Sequence, residues 1–356
     1  MPITGNRGEW SETYAFLRLL AEGKLFAADE QLNRIGNMFF PIIKIIREET
    51  IGTPYEYCPN TETANVEIYL NDEQLLSIPS ALFDEEATHL FSEVVDGSGS
   101  FSVERTEAFI RRIFITKLKA PSTDKSDINM QIHDVNTGYE NIVGFSIKSE
   151  LGSPPTLLNA GRTTNFIYTV ENLAVQYIPQ INAIDTRTKI IDRMSAIRNA
   201  GGCLVYEKME SEMFRDSLIM IDSQMPLIVA EMLTGYYFGF ASDCAGLADY
   251  VSRENPLNLF PNFYNHKFKD MLCAIALGMK PATRWDGEDD ATGGYIIVKT
   301  DGDVLAFHIY NRDSFRNYLM NNTRLERGST TRHGFGTLYE EDHKIKIKLN
   351  LQIRFT

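Results

Sequence analysis

The runs DINMQIH (Asp127–His133) and IVGFSIK (Ile142–Lys148) are the clearest pair of neighbouring strands in the chain. Each has the length and composition of a β-strand. The link between them contains NTGYEN, a sequence rich in turn-forming residues. A short link of this kind between two strands favours an antiparallel hairpin. We therefore predict a β-hairpin with Asp127 at the start of its first strand and Lys148 at the end of its second.

The segments around this hairpin predict a mixed α and β fold. A helical pattern starts at Glu9 and stops at Gly23, and the stretch Glu207–Met279 is also mainly helical in pattern. The chain ends in strand-like runs, the last of which alternates apolar and polar residues from Lys344 to Phe355. We expect an α+β or mixed α/β fold: a mixed sheet flanked by helices, a helical middle and a β-rich C-terminal region. A domain boundary is expected near residue 200.

Asp127, Ser146 and Lys148 form a candidate catalytic set. Side chains alternate along a strand, so Ser146 and Lys148 share a face, and the hairpin can bring that face beside Asp127. A carboxylate that holds Mg²⁺ and a lysine that orients water or stabilises developing charge suit phosphodiester hydrolysis. Asp134 is the alternative acid. It lies seven residues from Asp127, so the two face opposite sides of an unbroken strand.

A metal site of this type needs a second acid, which Ser146 cannot supply. Asp-(x)n-SxK resembles the PD-(D/E)xK nuclease pattern with the middle acid replaced by Ser146. Glu150 is the nearby acid that could take its place. The first helix offers Glu9 and Glu12, which lie three residues apart on one helical face. The sequence leaves the choice among these three glutamates open.

The composition is that of a globular protein, and it gives no sign of a zinc site or of a membrane-spanning segment. The chain has 356 residues, a formal net charge of −13 and 43% hydrophobic residues, which is ordinary for a globular protein. The four cysteines stand far apart without the spacing of a zinc site, so we expect reduced thiols in a cytoplasmic protein. The most apolar stretch, Met225–Ala241, is interrupted by Glu231 and two glycines. We interpret it as a buried helix, and we expect no membrane association.

Three long segments resemble the HpaII-type family of type II restriction endonucleases. The sequence GNRGEWSETYAFLRLLAEGKLFAADEQLN (5–33) is similar to the opening of that family. The sequence GFSIKSELGSPPTLLNAGRTTNFIY (144–168) is similar to its central block. The sequences GGYIIVKTDGDVLAFHIYNRDSFRNYL (293–319) and KLNLQIRF (348–355) are similar to its C-terminal block. Three such segments in the same order are far more specific than the catalytic triplet.

The resemblance implies an Mg²⁺-dependent endonuclease that cuts a short palindrome in double-stranded DNA. CCGG, the site of HpaII itself, is the first expectation for the target. The implied fold is a PD-(D/E)xK-like core at 1–200, with 201–356 serving target recognition and dimerisation. Nucleases of this superfamily often place a glutamate on the first helix, which makes Asp127 and Glu9 the expected metal ligands. A palindromic target favours a homodimer. A cognate DNA methyltransferase would act on the same site without forming a stable complex.

Two sets of polar residues are candidates for DNA contacts. The first follows the presumed active strand and supplies small polar groups and one cation, which suits contacts to the scissile backbone; it consists of Asn159, Arg162 and Thr163. The second lies in the sequence RLERGSTTRHG (324–334), and arginines there suit contacts to guanine or phosphate; it consists of Arg324, Arg327 and Arg332.

Other functions lack their motifs or remain as alternatives. No GxxxxGK[ST], GxGxxG or GxSxG sequence occurs, so a P-loop ATPase, a Rossmann enzyme and an α/β-hydrolase are unsupported. The missing acid at Ser146 would permit a catalytically inactive, sequence-specific DNA-binding relative. The net charge of −13 and the acidic block 71–100 would favour an interaction protein that does not bind nucleic acid.

Overall fold

The computed structural model describes residues 2–119, 126–135, 137–260, 262–308 and 311–356. Within them the α-helices are α1 Arg7–Glu22, α2 Ser80–Asp96, α3 Glu104–Arg112, α4 Ile178–Asn182, α5 Lys189–Asn199, α6 Glu212–Ile221, α7 Met225–Tyr237, α8 Cys244–Glu254, α9 Asn262–Leu277, α10 Arg312–Asn321 and α11 Thr330–His333. The first eight strands are β1 Lys24–Ala28, β2 Arg34–Thr50, β3 Thr53–Asn60, β4 Asn65–Leu70, β5 Glu73–Pro79, β6 Ile128–His133, β7 Glu140–Ser149 and β8 Thr156–Leu158. The remaining strands are β9 Asn165–Glu171, β10 Cys203–Met209, β11 Gly294–Val298, β12 Val304–His308, β13 Thr323–Leu325, β14 Leu338–Glu341, β15 Lys344–Asn350 and β16 Ile353–Phe355.

The chain divides into two compact units. The first comprises Met1–Pro155 and Asp289–Tyr318, and the second comprises Thr156–Glu288 and Leu319–Thr356. This division differs from the boundary that we predicted near residue 200. The reason is a late return of the chain: β11 and β12 pair with β7 and β1, so they belong to the first unit although they follow the helical middle.

The first unit is built on a nine-stranded mixed sheet in the order β1-β12-β11-β7-β6-β2-β3-β4-β5. The pairs β1–β12 and β11–β7 are parallel, and the other neighbours in that order are antiparallel. The predicted hairpin is confirmed as β6 and β7, with Ile128 opposite Phe145 and His133 opposite Glu140. Because β7 lies inside the sheet, between β6 and β11, its position is fixed from both sides.

Helix α1 packs on this sheet through buried side chains that include Trp10. Its N-terminus is closed by a capping box, in which the Asn6 side chain accepts from the Glu9 backbone N–H and the Glu9 side chain accepts from Asn6 N–H. Gly23, at φ 62°, ends the helix in the left-handed conformation that glycine adopts without strain. Trp10 is fully buried and donates its indole N–H to Phe101 O at 3.0 Å. Both ends of α1 are therefore fixed, along with its rotation on the sheet.

The second unit contains two smaller sheets and most of the helices. One sheet has the order β10-β9-β15-β14 and the other β13-β16-β8. Helix α7 is buried, as we predicted for the most apolar stretch, and two tyrosine hydroxyls join it to the larger sheet: Tyr168 donates to Ala230 O and Tyr237 to Asn350 O. No single helix among the described residues is long and apolar enough to cross a membrane. Helices α6 and α7 reach that length only as a joined pair, bent by 105°.

Candidate active site

Asp127 is held at the point where the β6–β7 hairpin opens. Its backbone N–H donates to Phe145 O at 2.9 Å. Its carboxylate Oδ2 accepts from Ile147 N–H at 2.7 Å and from the Ser146 hydroxyl at 3.1 Å. Three hydrogen bonds to consecutive residues of β7, two of them to the carboxylate, therefore fix Asp127 against the neighbouring strand. Ser146 therefore acts as a hydrogen-bond donor that orients the Asp127 carboxylate.

Lys148 lies on the same face of β7 as Ser146, as the alternation of the strand predicted. Ile147 between them is 4% exposed and points into the core, whereas Ser146 and Lys148 are only partly buried. The parallel pairing with β11 places Tyr295 opposite Ser146 and Ile297 opposite Lys148. The rigid centre of the sheet thus presents the serine and the lysine side by side.

Glu12 is the glutamate that the structure brings to this cluster. The pKa of Glu12 is raised from 4.5 to about 7, mainly by burial; the negative charges of Asp127 and Glu9 add to the shift, and the positive charges of Lys119 and Lys148 oppose it. A half-buried carboxyl beside a second carboxylate is unfavourable when both are ionised. Such a pair is the setting in which a bound cation, or a proton, restores the balance of charge.

Glu9 lies one turn earlier, and its carboxylate is already engaged. Glu9 Oε2 accepts from Asn6 N–H at 2.8 Å, and Glu9 N–H donates to Asn6 Oδ1 at 3.1 Å. The side chain that we expected as a metal ligand therefore caps helix α1. The capping box also sets the rotation of α1, which places Glu12 three residues further on toward Asp127 and Lys148.

The donor set fits a hard divalent cation. Carboxylate oxygens are the side-chain ligands that Mg²⁺ prefers, and Mg²⁺ usually keeps several waters and binds one or two carboxylates. No group of three or more Asp, Glu, His or Cys side chains within the described ranges could hold a metal ion. Glu12 and Asp127 together supply two carboxylates, which leaves the other coordination positions to water and to phosphate oxygens.

A cavity of about 580 Å³ opens at the cluster. Glu12 and Lys148 line it, together with the small polar side chains Ser98, Ser149 and Ser153. Arg7, on the first turn of α1, holds the surrounding loops: its guanidinium donates to the carbonyl oxygens of three residues, namely Val95 (2.9 Å), Gly97 (2.7 Å) and Leu151 (3.3 Å). The cavity therefore has several polar side chains in its lining, and Arg7 ties together the segments around it.

Asp134 and Glu150, the other two candidate acids, lie away from this cluster. Asp134 is at the far end of β6, where it accepts from the Thr137 hydroxyl at 2.6 Å and closes the hairpin turn. The pKa of the buried His308 is lowered to about 4 because of burial, and the negative charge of Asp134 opposes this shift. Glu150 faces the turn after β11. Its pKa is raised because burial outweighs the opposing effects of the Thr300 N–H and of the Lys299 charge.

The candidate DNA-contact residues all belong to the second unit, and several of them come together there. Gly328 approaches Ala160 so closely that a β-carbon at Gly328 would lie 2.7 Å from the Ala160 β-carbon. The loop that carries Asn159, Arg162 and Thr163 therefore lies beside the loop that carries Arg327 and Arg332. Four of these residues are exposed; they are Asn159, Arg162, Arg327 and Arg332.

Buried Asn350 organises the junction of these two loops. It is 1% exposed, and its side-chain amide donates to Gly161 O at 2.7 Å, to the Thr164 hydroxyl at 3.0 Å and to Asn165 Oδ1 at 2.7 Å. Asn165 in turn donates to His333 O at 2.9 Å. This chain of hydrogen bonds links strand β15 to both loops.

Arg324 and Arg327 share a neighbour that the sequence did not indicate. Tyr236 lies at the end of α7, and burial raises the pKa of its hydroxyl. The positive charges of Arg324 and Arg327 oppose this rise, and Arg327 also forms a hydrogen bond with the hydroxyl. Arg324 also lies opposite Arg354, which bonds the Thr156 hydroxyl at 3.3 Å and pairs with Glu326 at 3.0 Å. The second unit therefore carries a group of arginines held by a tyrosine and a glutamate.

Comparison with known proteins agrees with this geometry. The family model described as HpaII restriction endonuclease matches residues 6–355. The chain is also 41% identical to the type II restriction enzyme HpaII of Haemophilus parainfluenzae over 359 residues, which is 99% of this chain and 99% of that protein. No solved structure matches. The chain therefore belongs to the HpaII restriction endonuclease family.

Proposed function

We propose that this protein is a type II restriction endonuclease that hydrolyses phosphodiester bonds at a short palindrome in double-stranded DNA, with Mg²⁺ as its cofactor. CCGG is the site that we propose, since the relative named above is HpaII. One observation carries the assignment: the hairpin and helix α1 bring Asp127, Lys148 and Glu12 into one cluster of charges, and Glu12 and Lys148 line a cavity beside it. Membership of the family gives that cluster its reaction.

We infer that α1 and the strands β6, β7 and β11 form a PD-(D/E)xK-like core. Three features support this. Asp127 directly precedes β6, and Lys148 lies on β7. Strand β7 pairs in parallel with β11 on its other side. Helix α1 covers the sheet and brings Glu12 near Asp127 and Lys148. The departure from the pattern is Ser146. Glu12 takes over the missing charge from helix α1.

In this mechanism Asp127 and Glu12 hold the metal ion. When bound, Mg²⁺ supplies stabilisation of the charge that develops on the phosphate and a lower pKa for the attacking water. Ser146 and the Ile147 N–H fix the direction of the Asp127 carboxylate. Lys148, two residues along the same face, orients the water or binds a phosphate oxygen. Each group is placed by a strand or a helix, which keeps the geometry of the site fixed.

We assign contacts with the DNA to the arginines and small polar residues of the second unit. Asn159, Arg162 and Thr163 are proposed to bind the sugar–phosphate backbone, which is read through hydroxyl, amide and guanidinium donors. Arg324, Arg327 and Arg332 are proposed to bind bases or phosphates, because arginine matches the O6 and N7 of guanine. Binding through such a local group of cations is compatible with a net charge of −13.

The symmetry of a palindromic site leads us to propose a homodimer. We also propose that a cognate DNA methyltransferase protects the same site in the host, and that both proteins act in the cytoplasm. The methyltransferase and the endonuclease would recognise one sequence independently.

Substitutions in the cluster test the site assignment. We expect Asp127→Asn and Lys148→Ala to lower the rate of DNA cleavage by at least about 100-fold, because each removes a charge that acts on the transition state. DNA binding measured without Mg²⁺ should change much less. Glu150→Gln is the matched control, since Glu150 faces the β11–β12 turn. Full cleavage by Asp127→Asn, or loss of cleavage in Glu150→Gln, would contradict the assignment.

Digestion of a fully sequenced plasmid tests the reaction and its target. We expect discrete fragments with Mg²⁺ and intact plasmid with EDTA, because EDTA removes the Mg²⁺ that Glu12 and Asp127 would hold. Mapping of the fragment ends gives the recognition sequence directly, and we expect CCGG. Ends at another palindrome would correct the target alone. A plasmid that is bound but never cut would support the alternative, an inactive DNA-binding relative.

Removal of one arginine tests the recognition surface. We expect Arg327→Ala to weaken binding to the cleaved sequence by about 1–3 kcal/mol if Arg327 contacts a base, as bidentate base contacts typically contribute. Arg187→Ala is the control, because Arg187 is an equally exposed arginine of the second unit outside this surface. Affinities are measured by fluorescence anisotropy in EDTA at fixed salt. Equal affinities of the two variants would remove Arg327 from the interface.

A further inference from the structure

The charges of two lysines from different parts of the first unit lower the pKa of Glu12, so both lie in its neighbourhood. The charged groups that act on its carboxyl are Asp127, Lys119, Lys148 and Glu9. Lys148 belongs to strand β7, whereas Lys119 lies in the segment that follows helix α3. No motif in the sequence connects Lys119 with the catalytic hairpin. Its position is a product of the tertiary fold.

The segment before Lys119 is tied firmly to strand β2. The Arg47 guanidinium donates to the carbonyl oxygens of Lys117 and Leu118, the latter at 3.1 Å. Glu49 accepts from the N–H of Thr116 at 2.9 Å and from its hydroxyl at 2.6 Å. Arg47 and Glu49 are themselves paired at 2.7 Å and are largely buried. The backbone that leads to Lys119 is therefore held at three consecutive residues.

Leu118 anchors the same segment to the start of helix α1. Its side chain is 7% exposed and lies against Gly5, where a β-carbon would overlap the Leu118 Cδ1 atom and would lie 3.1 Å from Glu9 Oε2. The absence of a side chain at Gly5 leaves room for Leu118 in this position. Since Leu118 is fixed beside the first turn of α1, the next residue is delivered to the neighbourhood of Glu12 while remaining exposed to solvent.

We propose that Lys119 is a second lysine of the active site and binds a non-bridging oxygen of the scissile phosphate. The inference rests on the function proposed above. A phosphate that enters a site with two carboxylates brings further negative charge, and a cation fixed at its edge lowers the cost of bringing these charges together. Lys148 and Lys119 would then contact the phosphate from a strand and from a loop, respectively. The ammonium of lysine is suited to this because it binds phosphate as a point charge.

Lys119→Ala, Lys119→Arg and Lys117→Ala form the test. Lys117 is the matched control: it is an exposed lysine of the same segment that is fixed through its backbone carbonyl. Single-turnover cleavage is measured on a plasmid that the wild-type protein cuts, with enzyme in excess. We expect Lys119→Ala to be slower by about 100-fold, the typical effect of removing one group that stabilises developing charge. Lys119→Arg should recover part of the rate, and Lys117→Ala should cut at the wild-type rate.

Binding and stability separate a phosphate contact from a structural role. In EDTA, the slope of log binding constant against log salt should fall by about 1 for Lys119→Ala, as expected for one lost phosphate contact. The melting temperature should stay at the wild-type value, because the side chain is exposed. Slow cleavage with a lowered melting temperature and an unchanged salt slope would overturn the proposal, as would a rate equal to that of Lys117→Ala.

Asp127→Asn, measured in parallel, shows whether the role of Lys119 alone or the whole proposed active site is wrong. If Asp127→Asn is inactive while Lys119→Ala cuts like the wild type, the proposal for Lys119 is wrong and the catalytic cluster stands. If Asp127→Asn retains full activity, the proposed active site itself is wrong, and Lys119 loses its role with it.

Discussion

The juxtaposition of two carboxylates, Glu12 and Asp127, is the constraint on which the rest of the site depends. Like charges are unfavourable together in a partly buried place, and the pKa of Glu12 is raised to about 7, mainly by burial and then by the charge of Asp127. The fold holds both side chains in place through hydrogen bonds and burial. Asp127 is fixed by three hydrogen bonds to β7, and Glu12 by the capped and buried helix α1. A bound cation is the natural partner of such a pair, and the proposed function gives it one.

The scaffold explains why this pair can be held so tightly. Strand β7 lies between β6 and β11, so the strand that carries Ser146 and Lys148 has partners on both sides. Arg7 links the first turn of α1 to the loops around the cavity through three carbonyl oxygens. In the second unit, hydrogen bonds from Asn350 join the two segments whose arginines and small polar residues we propose as DNA contacts.

The local features of the site were predictable from the sequence, and the long-range ones were not. The hairpin, the shared face of Ser146 and Lys148, and the first helix follow from strand alternation, turn residues and helical spacing. The division into two units differs from the boundary predicted near residue 200, because strands β11 and β12 return to the first sheet after the helical middle, and spacing along a chain carries no information about such a return. Lys119 approaches Glu12 for a similar reason, through Arg47 and Gly5.

Helical spacing alone could not decide whether Glu9 or Glu12 belongs to the site. Both lie on one helical face, and helical spacing could not separate them. The separating feature is the capping box formed by Asn6 and Glu9, which engages Glu9 and leaves Glu12 for the site. An asparagine followed three residues later by a glutamate is a recognisable start of a helix, so this signal was present in the sequence.

Cleavage of plasmid DNA by Glu12→Gln and Glu9→Gln, each in saturating Mg²⁺, tests the central claim most directly. Both changes remove one charge and keep the shape of the side chain, and glutamine at position 9 can still complete the capping box. The account predicts that Glu12→Gln loses cleavage by at least about 100-fold while Glu9→Gln retains most of it. An inactive Glu9→Gln together with an active Glu12→Gln would contradict the account, because the metal would then be held from the helix cap.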